Sequence, residues 1–127
     1  MYTIQKVGSL GDKSTVLISG NHIVGFGAAK TNVWPALTQC HLAHNFKSIV
    51  SSHITGIGEI AANWASCHGL SEFRYYKDHD ADGVKADDMR IERMFEETKP
   101  DAVIMFPGAE RLKEYVSADC LLIYVQF

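Results

Sequence analysis

No stretch of Lys and Arg runs long enough to track a phosphate backbone, and the formal net charge is −3. A dedicated nucleic-acid binder needs clustered cations, so that class is disfavoured. No apolar run is long enough to span a bilayer. The N-terminus lacks the charged-then-apolar pattern of a secretory signal. Cysteine is sparse, with Cys40, Cys67 and Cys120 at unrelated spacings. An odd count without pattern argues against a disulfide framework and for free thiols in a reducing compartment. The expectation is a soluble cytoplasmic protein. The C-x-x-C and H-E-x-x-H metal spacings and the G-x-S-x-G nucleophile elbow are also missing. So are internal repeats, linkers and low-complexity tracts.

What is present suffices for one domain. A chain of 127 residues hides roughly two-thirds of its unfolded surface and needs no covalent staples. The apolar fraction, 46%, is ordinary for a globular protein. Met1 to Val7 alternates as an edge strand does, and Gly8 to Lys13 reads as a turn. Thr15-Val16-Leu17-Ile18-Ser19 is a short apolar run that suits a strand covered on both faces. A loop carrying Gly25 and Gly27 follows, to Thr31. Asn32 is then a candidate helix cap, with Pro35 in the first turn. Phe46 to Ser51 is the next strand, followed by a helix with Ile57, Ile60, Ala61, Trp64 and His68 on its buried stripe. Glu72 to Tyr76 reads as a third core strand. The helix that follows sets Val84, Ile91, Met94 and Phe95 on one face and stops before Pro100. Asp101 to Phe106, a short helix with Leu112, Tyr115 and Val116, and Leu121 to Val125 complete the chain.

Strands alternating with helices over short connections predict an α/β fold. The expected form is a Rossmann-like three-layer sandwich. It has a mostly parallel sheet of about five core strands plus an N-terminal edge strand. A single domain spans 1–127, with 1–14 as an added strand and turn. Ligands of such sheets sit beyond the C-terminal strand ends. Those ends are Gly20-Asn21-His22, Thr55 to Glu59, Asp78 to Gly83, and Pro107 to Arg111. Gly56-x-Gly58-x-x-Ala61 joins a strand to a helix. Glycines there allow a tight turn and the approach of a ligand to N–H groups at a helix N-terminus. A turn that needs glycine for its own geometry explains the motif equally well. Pro107-Gly108-Ala109-Glu110 is a second turn and helix start, whose N–H groups suit phosphate. Glu59 and Glu110 both stand at helix starts, where capping alone would place an acid.

Asp78-x-Asp80-x-Asp82-Gly83 imitates the first half of a calcium loop, but the twelfth position is Met89 rather than a bidentate glutamate. An acidic solvated loop, with Asp87 and Asp88 near a helix N-terminus, fits better. Of six histidines, His44 and His68 fall on apolar stripes and read as packed, hydrogen-bonded residues. Cys40, His41 and His44 share a helix, and Cys67 precedes His68, without metal spacing. No metal or other cofactor is expected. His22 and His79 lie at strand C-termini, where an imidazole can contact a ligand or transfer a proton. Arg90 flanks its helix beside Met94 and is placed to meet an anion.

Taken in order, these motifs resemble the SLOG superfamily, specifically its small YspA-like branch. That superfamily includes the LOG-type phosphoribohydrolases and the DprA core domain. The resemblance runs from about Val16 to Ala109. It is carried by Gly20, Val33-Trp34-Pro35-Ala36-Leu37 with His41, and Gly56 with Ala61, Trp64 and Ala65. It continues through Asp78 and Gly83, Ala86 with Arg90 and Met94, Lys99-Pro100-Asp101, and Phe106-Pro107-Gly108. Departures fall where hydrolases of the family need their phosphate loop. Ala109, Arg111 and Leu112 replace its second glycine and Gly-Thr. His22 stands in place of an arginine, and Gly58-Glu59 in place of the turn's aspartate.

The resemblance implies binding or sequestering of a nucleotide-derived small molecule, of the NAD, ADP-ribose or cyclic-nucleotide type. Gly20, Asn21, His22, Thr55, Gly56, Gly58, Arg90, Pro107 and Gly108 are the expected ligand-binding residues. An N-glycosidase or phosphoribohydrolase is the alternative, with Glu59, Asp78, His79 and Glu110 as candidate acids and bases. A protein-interaction module with a vestigial cleft is the second. The resemblance also implies a homo-oligomer, with no membrane and no nucleic-acid partner.

Overall fold

Three short apolar strands lie at the centre of the sheet because their residues have nowhere else to go. Val16, Leu17 and Ile18 are 0% exposed, as are Val103 and Ile104. Such runs require cover on both faces, and a parallel sheet flanked by helices supplies it. The computed structural model describes residues 2–20, 26–52, 57–75, 83–107 and 110–126. In chain order the elements are β1 (Thr3–Val7), β2 (Thr15–Ser19), α1 (Phe26–His44), β3 (Ser48–Ser52) and α2 (Ile57–Cys67). They continue with β4 (Ser71–Tyr75), α3 (Gly83–Thr98), β5 (Ala102–Met105), a 3₁₀ helix (Glu110–Tyr115) and β6 (Leu121–Gln126). The chain is therefore an α/β protein with a six-stranded, mostly parallel sheet.

The strand order is β1-β6-β5-β2-β3-β4. All neighbours are parallel except β1, which runs antiparallel along β6. From β2 the chain builds outward through β3 to β4, then crosses back to β5 and β6. The direction of building reverses between β2 and β5. Strand alternation divides the core. Val16, Ile18, Ile49, Ala102 and Ile104 pack with α1 and α2 on one face, and Leu17, Val50, Val103 and Met105 pack with α3 on the other.

Two polar contacts hold this arrangement in register. The Asp101 carboxylate accepts from the Ser14 and Thr15 N–H groups at 3.1 and 3.3 Å, pinning the start of β5 to the start of β2. Trp64, 0% exposed, donates its indole N–H to Thr38 Oγ1 at 3.1 Å, which ties α2 to α1.

Two expectations are corrected. Helix α1 begins at Phe26, so Asn32 is not its cap and Pro35 lies in its interior. Ala28, Ala29 and Lys30 are strong helix formers that carry the helix upstream. The exposed proline forgoes only its own N–H bond to the preceding turn. Strand β4 is an edge, not a core strand. Among the described residues it has a sheet neighbour on one side only, and Phe73 is 48% exposed. The short helix expected before the last strand is a six-residue 3₁₀ turn.

Replacing Thr38 by Val should leave a buried indole N–H without its acceptor. We expect a loss of about 1–3 kcal/mol, read as a lower urea midpoint at unchanged m-value.

Candidate functional site

The C-terminal ends of β2 and β5 meet the start of α2 at Gly20. A Cβ built there would lie 2.7 Å from Phe106 Cβ and 2.9 Å from Ile57 Cγ1. Phe106 follows β5, and its N–H donates to the Ser19 carbonyl at 2.9 Å, extending the β2–β5 ladder by one bond. Ile57 opens α2 and is 1% exposed. Three segments that sequence reading assigned to one cleft are thus in van der Waals contact at the reversal of strand order. Gly20 is half-buried, and the close approach of strand and helix by itself calls for a glycine there.

The N-terminal turn of α2 carries the remaining described residues of this pole. Gly58 is buried and Glu59, one residue on, is exposed. The first N–H groups of an α-helix have no intrahelical acceptor. A carboxylate in that turn stabilises the helix dipole. Pro107 is half-buried beyond β5. The helix that starts at Glu110 is a 3₁₀ turn, which lacks the aligned length of an α-helix and so carries a smaller dipole. Asn21, His22, Thr55, Gly56, Asp78, His79 and Gly108 lie outside the described residues, as does the side chain of Glu110.

Arg90 belongs to the same pole on the opposite face of the sheet. Helix α3 leads from the end of β4 toward the start of β5, so its N-terminal half lies toward the C-terminal strand ends. Arg93 stacks over the ring of Tyr75, the last residue of β4, 5.6 Å from its centroid. Arg90 is one turn earlier, about 4.5 Å further along the helix axis. It is 8% exposed, next to Ile91 and Met94 of the apolar face. Burial pushes the Tyr75 hydroxyl up to about 12, helped by its hydrogen bond to Glu97. That phenol stays protonated and serves α3 docking.

The opposite pole collects other residues singled out in the sequence. A cavity of about 350 Å³ is lined there by Phe95, Lys99, Pro100, Asp101, Tyr115 and Cys120 among others. It opens where strands begin, away from the ends at which such sheets bind ligands. The Lys99-Pro100-Asp101 signature has a structural explanation. Lys99 takes a left-handed φ of 45° as α3 ends, and Asp101 is the clamp on β2. Burial, then the Asp101 charge, pushes the Cys120 thiol up to about 11. Burial does the same for Cys40, also to about 11. Neither is a ready thiolate nucleophile, and all three cysteines are free.

His41, His44 and His68 form an aromatic group with Trp64 and Phe46 at this pole. No set of three or more metal-binding side chains converges among the described residues. His44 is packed as expected, 2% exposed, donating Nδ1–H to the Gly11 carbonyl at 2.7 Å. His68 departs from expectation because the last turn of α2 emerges into solvent. It is exposed, although its ring lies on Trp64 at 4.6 Å and Nδ1 donates to the Trp64 carbonyl. His41 lies between them, 6.2 Å from the His68 ring. Its Nδ1 accepts the Phe46 N–H at 3.1 Å, which assigns the remaining proton to Nε2.

Sequence reasoning missed Ile57 and Phe106 as the walls around Gly20. No local pattern marks them, because they meet only through the strand order. Comparison with family models, with curated proteins and with solved structures finds no match to this chain.

Two outcomes are expected. Gly20→Ala should cost about 1–3 kcal/mol by overpacking, measured by denaturant unfolding. In an Ile57→Ala background the added cost of Gly20→Ala should be smaller but not zero, since the contact at Phe106 Cβ remains. His41 is held below the ordinary histidine value of 6.5, first by burial and then by His68. The unfolded chain therefore takes up a proton more readily, so the stability owed to neutral His41 is complete above pH 6.5 and is lost as pH falls below it. The unfolding midpoint should drop from about pH 7.5 to pH 5.5, and His41→Gln should flatten that slope.

Proposed function

We propose that the chain binds a nucleotide-derived small molecule, of the NAD, ADP-ribose or cyclic-nucleotide type. The site is a cleft at the C-terminal strand ends of a Rossmann-like three-layer sandwich. In this reading the chain is a cytoplasmic member of the SLOG superfamily whose hydrolytic loop has been lost. The observation that carries the proposal is the reversal of strand order between β2 and β5. Open α/β sheets bind ligands in the crevice outside the strand ends at such a point.

Each described residue of the pole has a part in this reading. Gly20 lets β2 and α2 approach closely enough to bring the helix N-terminus over the crevice. Gly58 keeps that N-terminus free of a side chain, so main-chain N–H groups can reach a phosphate or ribose oxygen. Arg90 supplies a cation held within the fold from the α3 side, suited to an anionic group. Pro107 stiffens the other lip.

Glu59 favours a second reading, cleavage of a nucleotide N-glycosidic bond. Its carboxylate is exposed in the first turn of α2, where it could receive or deliver a proton at a ribose. Binding without turnover separates the two.

Thermal-shift titration against AMP, NAD, ADP-ribose and cyclic dinucleotides should give a saturable rise in Tm with at least one of them. No shift with any would overturn the proposal. Arg90→Lys, checked for folding by circular dichroism, should weaken that ligand by about 10–100-fold in calorimetry, the worth of a charge-assisted contact. Intact ligand on chromatography after long incubation supports a binder, and released base or ribose phosphate supports the enzyme.

A further inference from the structure

We infer that β4 is the interface of a symmetric homodimer, pairing antiparallel with β4 of a second copy about a two-fold axis through Phe73. Strand β4 ends the sheet on the side away from β1, so one side of its backbone faces no strand among the described residues. The Ser71 N–H donates to the Lys47 carbonyl at 3.2 Å, which turns the main-chain groups of Ser71 toward β3. Main-chain groups alternate along a strand. Phe73 and Tyr75 therefore also face β3, and the N–H and C=O groups of Glu72 and Arg74 point outward. A strand added at this edge must bond through those two residues.

That constraint leaves three antiparallel registers between two copies of the strand. Two of them set Glu72 against Glu72 or Arg74 against Arg74. The third centres on Phe73 and sets Glu72 of each copy against Arg74 of the other. Like charges directly opposite destabilise a strand pair and unlike charges stabilise it. Only the third register is electrostatically complementary, and it is so twice. In it each Glu72–Arg74 pair exchanges two main-chain hydrogen bonds. The two Phe73 residues form the non-hydrogen-bonded pair, whose side chains approach most closely. Phe73 is 48% exposed, one of the few large apolar side chains left so open among the described residues.

The side chains are placed for this exchange. Glu72 and Arg74 share the α2 face of the sheet, opposite Ile49 and Ser51 in register. They pair within the strand, with the Glu72 side chain 15% exposed and that of Arg74 44% exposed. The carboxylate is fixed while the guanidinium reaches outward, so a second copy can offer its Arg74 to the same carboxylate. A five-residue edge is short for an obligate interface, so association in the range of about 1–100 µM is expected. The product is one continuous twelve-stranded sheet, two copies of the six observed.

Sedimentation velocity across that concentration range is the test. The wild-type chain should pass from monomer to dimer. Glu72→Arg and Arg74→Glu should each weaken the dimer by about tenfold or more. The double variant Glu72→Arg/Arg74→Glu should restore it. Mixing the two single variants should give a heterodimer, because one strand then carries two arginines and the other two glutamates. Circular dichroism confirms that each variant is folded. A wild-type chain that stays monomeric throughout overturns the inference, and so does a dimer that neither single variant weakens.

Discussion

The fold depends on one close approach. At Gly20 the end of β2 touches Phe106 and Ile57 with no room for a Cβ. Because β2 is the strand from which the chain builds in both directions, that contact brings both halves of the sheet to one pole. Everything proposed for this pole follows from it. The N-terminus of α2 lies at this pole because Ile57 packs on Gly20. The segment after β5 reaches the same place because Phe106 bonds to Ser19. A bulkier residue would separate helix from strand and open the pole before it affected any ligand contact.

Much of the fold could be read from the residues. The apolar runs at Val16–Ile18 and Val103–Phe106 gave β2 and β5 because a continuous run of that length cannot leave either face in water. Helix α3 was legible from the spacing of Ile91, Met94 and Phe95 and from Pro100 beyond it. The start of α1 was not, because Gly25 and Gly27 read as breakers while Ala28 and Ala29 continue the helix behind them. The edge position of β4 was hidden for a different reason. Strand order is a long-range property, and Ser71–Tyr75 is composed much like a strand with two neighbours. The packing around Gly20 was not legible, since its neighbours Ile57 and Phe106 stand 37 and 86 positions away.

The two poles divide the labour. At the strand starts, Asp101, Trp64 with Thr38, and His44 with Gly11 fasten elements together by hydrogen bonds that are satisfied within the protein. At the strand ends, the first N–H groups of α2 have no acceptor within their own helix. The titratable groups follow the same division, with burial holding the Cys40 and Cys120 thiols protonated and His41 neutral.

The accessibility of the three thiols has a practical side. Cys40 and Cys120 are buried, while Cys67 is exposed at the last residue of α2. A maleimide dye or spin label will therefore attach at one position of the native protein without any mutation. That position is the far end of the helix whose first turn borders the crevice, about 15 Å away at 1.5 Å per residue. A probe there can report motion of α2 while leaving the strand ends chemically untouched.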